Sequence, residues 1–284
     1  MNQFKSILQL LSPPSVPEGR GVTVTRIIGS SACESLDPFL LLDHAKISKP
    51  NGFPPHPHRG FETVSYVLNG SIMHEDFLGC HGLLQSGDVQ WMTAGKGIVH
   101  VEMPHSNEVE GLQLWVNLKS SDKMCQPYYQ DMKNENMVKV NTDQVQVTII
   151  AGQSMGVSSP TITKTPAYYL DVSLKDTAEY VQSFVQGWNS LVYVLEGGIK
   201  IGSQRVVKGK AAILTREELE CKFEGIGNSR FILLAGEPIG ETVAHYGPFV
   251  MNTQSEIQKT LQDYNKGKNG FEGAIGWEPK FLTY

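Results

Sequence analysis

Residues 54–68 read PPHPHRGFETVSYVL, and the two imidazoles flanking Pro57 decide how the rest of the chain is understood. A proline fixes its own φ and pushes the residue before it into an extended conformation. His56 and His58 therefore sit two apart on extended backbone, where alternate side chains share a face. Behind them comes a run of aromatic, β-branched and apolar residues, Phe61, Thr63, Val64, Tyr66, Val67 and Leu68, which predicts a strand. Two neutral imidazoles side by side are half of a metal site.

The same pattern recurs along the chain. GVTVTRIIG, DVQWMTAG, GLQLWVNL and VQVTIIAG, then AYYLDVSL, SLVYVLEGGIKIG and RFILLAGEP, are extended segments, most of them closed by turn residues. Helical spacing is convincing only late, in SEIQKTLQDYNKG, where Ile257, Leu261 and Tyr264 fall three or four apart. An all-β fold follows, with a few short helices, one of them near the C-terminus. Two of the stretches resemble each other. Tyr66-Val-Leu-Asn-Gly70 matches Tyr193-Val-Leu-Glu-Gly197, and each copy continues through a second glycine turn, at Gly87 and Gly209, into an apolar strand. Matching order in successive elements predicts two antiparallel β-barrel or jelly-roll lobes. The expected boundaries are an N-terminal segment 1–20, a first lobe 21–135, a second lobe 136–245 and a tail 246–284 that carries the helix. By the same offset, Ser183 and Val185 stand where the first copy has its histidines, so the second lobe is expected to hold no metal.

The first lobe supplies a further pair, His100 and Glu102, again at i and i+2. Three imidazoles and one carboxylate from neighbouring strands suit a single divalent transition ion, and in a six-coordinate ion they leave two positions for water, dioxygen or substrate. An isolated H-x-H is more often solvated than a ligand pair; the second pair in the same lobe makes the two readings equal. His74, His81, His105 and His245 have no partner at such spacing and are expected on the surface or in loops. Trp91, Met92, Phe53 and Gln113 lie near the ligand-bearing segments and are better explained as packing than as substrate contacts.

Composition narrows the classes of function. At 284 residues, 40% of them hydrophobic, the chain is long enough for two packed domains. A formal net charge of −5 argues against a protein that grips nucleic acid by bulk charge. The cysteines at 33, 80, 125 and 221 are scattered with no C-x-x-C spacing, as expected of reduced intracellular thiols. The apolar run Ile7 to Leu11 is too short for a signal peptide core or a membrane span.

HPHRGFETVSYVL, HEDFLG, GDVQWMTAGKGIVHVEMP, GLQLWVNL and GPFVMNT resemble the pirin family, a branch of the cupin superfamily, across residues from about 20 to about 275. The resemblance implies a bicupin with one metal, usually iron, in the N-terminal lobe; Mn, Ni, Cu and Zn are the alternatives. It places the ligands on His56, His58, His100 and Glu102, the set also reached from spacing. Glu62 competes for the carboxylate role in the general cupin pattern, H-x-H followed shortly by Glu. On a regular strand it would lie about 13 Å from His58 at ~3.3 Å per residue, so a bulge would be required. Glu62 is therefore expected to support the site from outside the ligand set, paired with Arg59, or to act as an alternative catalytic base to Glu102.

The resemblance implies two kinds of function. One is an iron-dependent dioxygenase opening flavonols such as quercetin. The other is a non-catalytic, redox-sensing regulatory protein acting through transcription factors or a G-protein α subunit. A structural bicupin with an incidental metal is weakened by the retained ligand set. The expected setting is the nucleus and cytoplasm, as a monomer, with no direct contact with nucleic acid or membrane.

Overall fold

The computed structural model describes residues 4–18 and 22–280; the ends of the expected N-terminal segment and tail, and the first residue of the expected first lobe, lie outside the described residues. Nearly all regular structure is strand, with one helix, Gln254–Lys266, and a single 3-10 turn at Asn134–Asn136 among the described residues. The chain divides into two compact units. Each is built from a seven-stranded and a four-stranded antiparallel sheet.

In the histidine-bearing unit the seven-stranded sheet runs, edge to edge, Tyr128–Met132, Val89–Thr93, Phe61–Asn69, Glu108–Asn117, Phe39–Ser48, Val22–Ile28, Ser15–Pro17. Its four-stranded sheet runs Phe53–His58, Ile98–Pro104, Ser71–Asp76, His81–Gln85. The other unit repeats the order, with Asn189–Glu196 in the place of Phe61–Asn69, and Glu179–Ser183 in the place of Phe53–His58. The similarity of the two YVL-x-G stretches therefore reflects a repeated topology.

The repeat departs from a simple tandem at its ends. The strand Ile7–Leu11 is the outermost strand of the second unit, pairing Leu11 with Ala211 and Leu10 with Ala212. Its counterpart in the first unit, Tyr128–Met132, comes from late in that unit's own sequence. Residues up to Pro14 group with Glu135–Pro238, while Ile239 onward groups with Leu40–Asn134. Among the described residues, the segment expected at 1–20 is shared, Ile7–Leu11 completing a sheet of the second unit and Ser15–Pro17 edging one of the histidine-bearing unit, and residues of the expected tail group with the histidine-bearing unit.

The interiors differ. The second unit is filled by an apolar cluster that includes Val172, Tyr180, Phe184, Cys221, Phe223 and Phe231. Tyr180 pairs with Phe223, and Gln182 with Cys221, on the strand pair equivalent to the histidine-bearing one. Ser183 and Val185, located by the offset, are exposed; the inward residues there are Tyr180, Gln182 and Phe184, so the interior carries no imidazole at these places by either register.

The helix starts where Thr253 accepts from the Glu256 backbone N–H, the Glu256 side chain returns to the Thr253 N–H, and it ends at Gly267 in the left-handed conformation. This capping box satisfies backbone donors that the helix itself leaves open. The inward face carries Ile257, with Leu261 and Tyr264 packed beside it against Val99, Phe249 and Phe271, as the sequence periodicity predicts.

Candidate metal centre

The PPHPH run forms the strand Phe53–His58 at the edge of its sheet. Prolines lack the N–H that an inner strand must donate, so an edge is the place a sheet tolerates them. Its one neighbour is Ile98–Pro104, with His58 opposite Ile98 and His56 opposite His100. The register slips between His100 and Glu102, a bulge of the kind that re-aims side chains.

Three ring nitrogens meet there. His100 Nε2 lies 3.0 Å from His58 Nε2 and 3.0 Å from His56 Nε2. Metal–imidazole bonds are about 2.1 Å long, so two nitrogens at a right angle about one ion stand about 3.0 Å apart, and a tetrahedral pair about 3.4 Å. The two observed spacings from His100 fit neighbouring corners of an octahedron. The His56 Nδ1 lies 2.8 Å from the Pro54 carbonyl oxygen, which fixes the proton on Nδ1 and leaves the Nε2 lone pair for a metal. Burial holds the His58 and His100 rings well below the ordinary histidine range, with neighbouring histidines adding to it. His56 is lowered too, by burial, against the pull of the Pro54 carbonyl. All three are therefore neutral donors near neutral pH, and the residues present fit a divalent transition ion.

Glu102 is buried, with Oε1 accepting from Ser65 Oγ at 3.0 Å. Ser65 Oγ is also 2.6 Å from Gln113 Oε1; one hydroxyl hydrogen cannot serve both, and turning the Gln113 amide lets its NH₂ donate to Ser65. Burial pushes the Glu102 carboxyl up to about 7, the Ser65 bond opposing. The group whose ligand atoms all lie within 4.8 Å of one another comprises His56, His58 and His100, and Glu102 stands outside it.

Glu62 points elsewhere. Along Phe61–Asn69, Ser65 reaches Glu102 and Phe61 packs on His58 at 5.3 Å, so odd positions face the histidines and Glu62 faces the opposite side of the sheet. There Thr93 Oγ1 donates to it at 2.7 Å. Arg59 is bound to Asp263, at 2.9 Å, and is not the partner expected for Glu62. The bulge that a Glu62 ligand would have required is absent: between His58 and Phe61 the chain passes from one sheet to the other.

Register shows what surrounds the histidines. His56, His100 and Asp76 form one cross-strand row, and Glu102 and His74 the next. Facing them, Gln113, Ser65, Gln90 and Asp131 form a row. The Ser65–Glu102 bond and a Gln90 Nε2 to His74 Nε2 contact of 3.0 Å join the two sheets, so this interior gathers imidazoles and carboxylates where its counterpart has an apolar cluster and a buried Ser154–Tyr180–Gln182 chain. His74, expected at the surface, is buried, stacked at 6.4 Å on Tyr129. Strand parity in SIMHED, with Ile72, His74 and Asp76 on one face, is the signal that marks it. His81, His105 and His245 are exposed. Trp91 and Met92 are fully buried packing residues, and Phe53 and Gln113 are half-buried. Trp115, two positions beyond Gln113 and so on the same face, packs its ring on His58 at 5.6 Å and on Phe61 at 4.5 Å.

The model of the Pirin family matches residues 21–116, and that of the Pirin C-terminal cupin domain matches residues 169–270. The chain belongs to the pirin family. Pirin of Rattus norvegicus is 47% identical over 93% of both chains. A pirin-like protein of Solanum lycopersicum is 48% identical over 93% of this chain and 92% of its own. Among solved structures, quercetin 2,3-dioxygenase from Acinetobacter baumannii is 33% identical, with a TM-score of 0.87 over 94% of this chain and 99% of that one. The two-domain cupin architecture expected for a pirin is the one observed.

Proposed function

We propose that this pirin-family chain is a metal-dependent dioxygenase acting on flavonols such as quercetin, with His56, His58, His100 and Glu102 holding the ion and iron as the expected metal. The observation that carries the reading is the convergence of three neutral Nε2 atoms in the polar interior of one lobe. Its similarity to the quercetin 2,3-dioxygenase of Acinetobacter baumannii supports the substrate class. An ion held there would supply Lewis acidity, lowering the pKa of an enol or phenol hydroxyl brought to it.

The chain's own residues supply the rest. Burial raises the carboxyl to about 7 in the metal-free site, and Glu102, once released from the ion, is the base beside the histidines. Such help is typically worth about 10² to 10⁴-fold in rate. Ser65 holds the Glu102 Oε1, leaving Oε2 to take the proton. Trp115 and Phe61, 4.5 Å apart, present aromatic surface beside His58 for a planar ring. Glu62, on the far side of its sheet, is assigned a structural bond to Thr93 in place of a catalytic role.

The test begins with metal analysis of purified protein. Iron-loaded protein mixed with quercetin without air should shift the flavonol absorption without loss, and admitting air should consume both flavonol and oxygen. A shift with no oxygen uptake above free metal, across several flavonols, would overturn the enzyme reading and favour a metal-dependent binding protein.

A further inference from the structure

The residue after the second histidine is a buried arginine with far more partners than its place in a strand end requires. The Arg59 side chain is only 2% exposed. Its Nε donates to the Lys96 carbonyl at 2.7 Å, Nη1 to Asp263 Oδ2 at 2.9 Å and Thr260 Oγ1 at 3.2 Å, and Nη2 to the Asn269 carbonyl at 2.7 Å. The guanidinium lies 4.6 Å from the Phe271 ring centroid. Three pieces of chain meet on this one group: the histidine strand, the loop that leads into Ile98–Pro104, and the C-terminal helix with the turn after it.

The backbone repeats the connection. Arg59 N–H donates to the Pro248 carbonyl at 3.3 Å, and Val250 N–H donates to the Arg59 carbonyl at 3.0 Å. Lys123, 1% exposed, reaches the Gly60 carbonyl at 2.9 Å, Asn117 Oδ1 at 2.6 Å and the Val250 carbonyl at 3.2 Å. The approach at Gly60 is close: with φ at +88°, a Cβ there would fall 2.0 Å from the Val250 carbonyl oxygen. Two buried cations, an independent backbone pairing and an obligatory glycine thus fasten residues 59 and 60 to the segment 248–271. None of these contacts touches the histidine rings.

We propose that Arg59 and the C-terminal segment it grips, through Asp263 above all, act as a clasp that positions His58 against His100 and so sets how long the metal is retained. Arg59 and Asp263 are positioning residues, and the helix that carries Asp263 belongs to neither large sheet. The chemistry is geometric. Three nitrogens hold an ion tightly only while their mutual spacing is kept, and spacing here depends on two strands, one ending at His58 and one that begins just after Lys96. Arg59 is joined to the first through the backbone and to the second through the Lys96 carbonyl, and Asp263 supplies the carboxylate that keeps a buried guanidinium in that pose. The inference rests on the metal reading above.

The test uses the full chain loaded with cobalt(II), whose visible bands report ligand geometry. Release to excess chelator should be about tenfold or more faster in Asp263→Asn than in wild type, the size expected when groups orienting a metal ligand are removed. Thr260→Val should accelerate release less, and it keeps the question answerable if Asp263→Asn does not fold. The cobalt bands should move in Asp263→Asn and return, with slow release, in Asp263→Glu. Leu233→Ala, which opens the core of the other unit, should lower the melting temperature and leave release at the wild-type rate. Wild-type release and unshifted bands in folded Asp263→Asn, or release from Leu233→Ala as fast as from Asp263→Asn, would overturn the clasp. Wild-type protein that takes up no cobalt would overturn the metal reading itself, and the clasp with it.

Discussion

Replacing Glu102 by glutamine should move stability and metal affinity in opposite directions. The carboxyl titrates at about 7, raised from 4.5 by burial, and that displacement corresponds to about 3 kcal/mol at ~1.4 kcal/mol per pH unit. For an acid whose folded pKa is raised, the folded state keeps a proton that the unfolded state has released. The apo protein is therefore unaffected by this group below pH 4.5, loses stability as pH rises from there to about 7, and carries the full penalty above it. Glutamine keeps the shape and the Ser65 contact and removes the ionisation. Apo Glu102→Gln should accordingly be more stable than wild type at pH 8, by up to about 3 kcal/mol in denaturant unfolding, and no more stable at pH 4. On the proposed ligand set, the same variant should bind metal far more weakly, having lost that set's one charged donor. Wild-type metal uptake should release about one proton below pH 7 and tighten with pH until that point. Equal stability differences at pH 4 and pH 8, or unchanged metal affinity in the variant, would refute the assignment.

The joint substitution His56→Ala and His100→Ala should abolish metal binding measured by elemental analysis, whereas Tyr180→Phe and Cys221→Ser in the other lobe should leave one equivalent per chain; two tightly bound equivalents would contradict the asymmetry of the interiors. Glu62→Gln should weaken the bond to Thr93 and cost about 1 kcal/mol of stability while leaving metal occupancy intact. Occupancy lost in Glu62→Gln and kept in Glu102→Gln would exchange the two roles. With a net charge of −5, the isolated protein should show no salt-resistant affinity for duplex DNA in a filter-binding or anisotropy titration.

Much of this was legible because β-structure writes its geometry locally. The period of two placed His56 with His58, which meet His100, proline marked the strand, and the repeated YVL-x-G stretch pointed to the two lobes. What escaped depended on partners distant in the chain. Arg59 looks like a neighbour of Glu62 in sequence, yet the chain changes sheets between them, and its partner Asp263 is on a helix no local rule connects to it. His74 has no metal-like spacing, and its burial follows from pairing with Glu102 on the neighbouring strand. The second lobe's inward residues were displaced by one from the offset, because sequence similarity aligns turns more faithfully than it aligns pleats.

The strand Ile7–Leu11 gives the molecule a particular dependence on order of synthesis. It precedes both barrels in the chain, but its pairing partner, Ala211–Leu214, emerges only after residues 15–134 and most of the second unit. Until then its row of backbone donors and acceptors has no ladder to join. The histidine-bearing barrel is in turn left without its fastening at Arg59 until residues near 263 have left the ribosome. Cutting the gene between residues 134 and 135 would therefore give two pieces each lacking something held by the other. Two units of repeated topology are, in this chain, not two consecutive stretches of sequence: each draws a piece from the far side of residue 134.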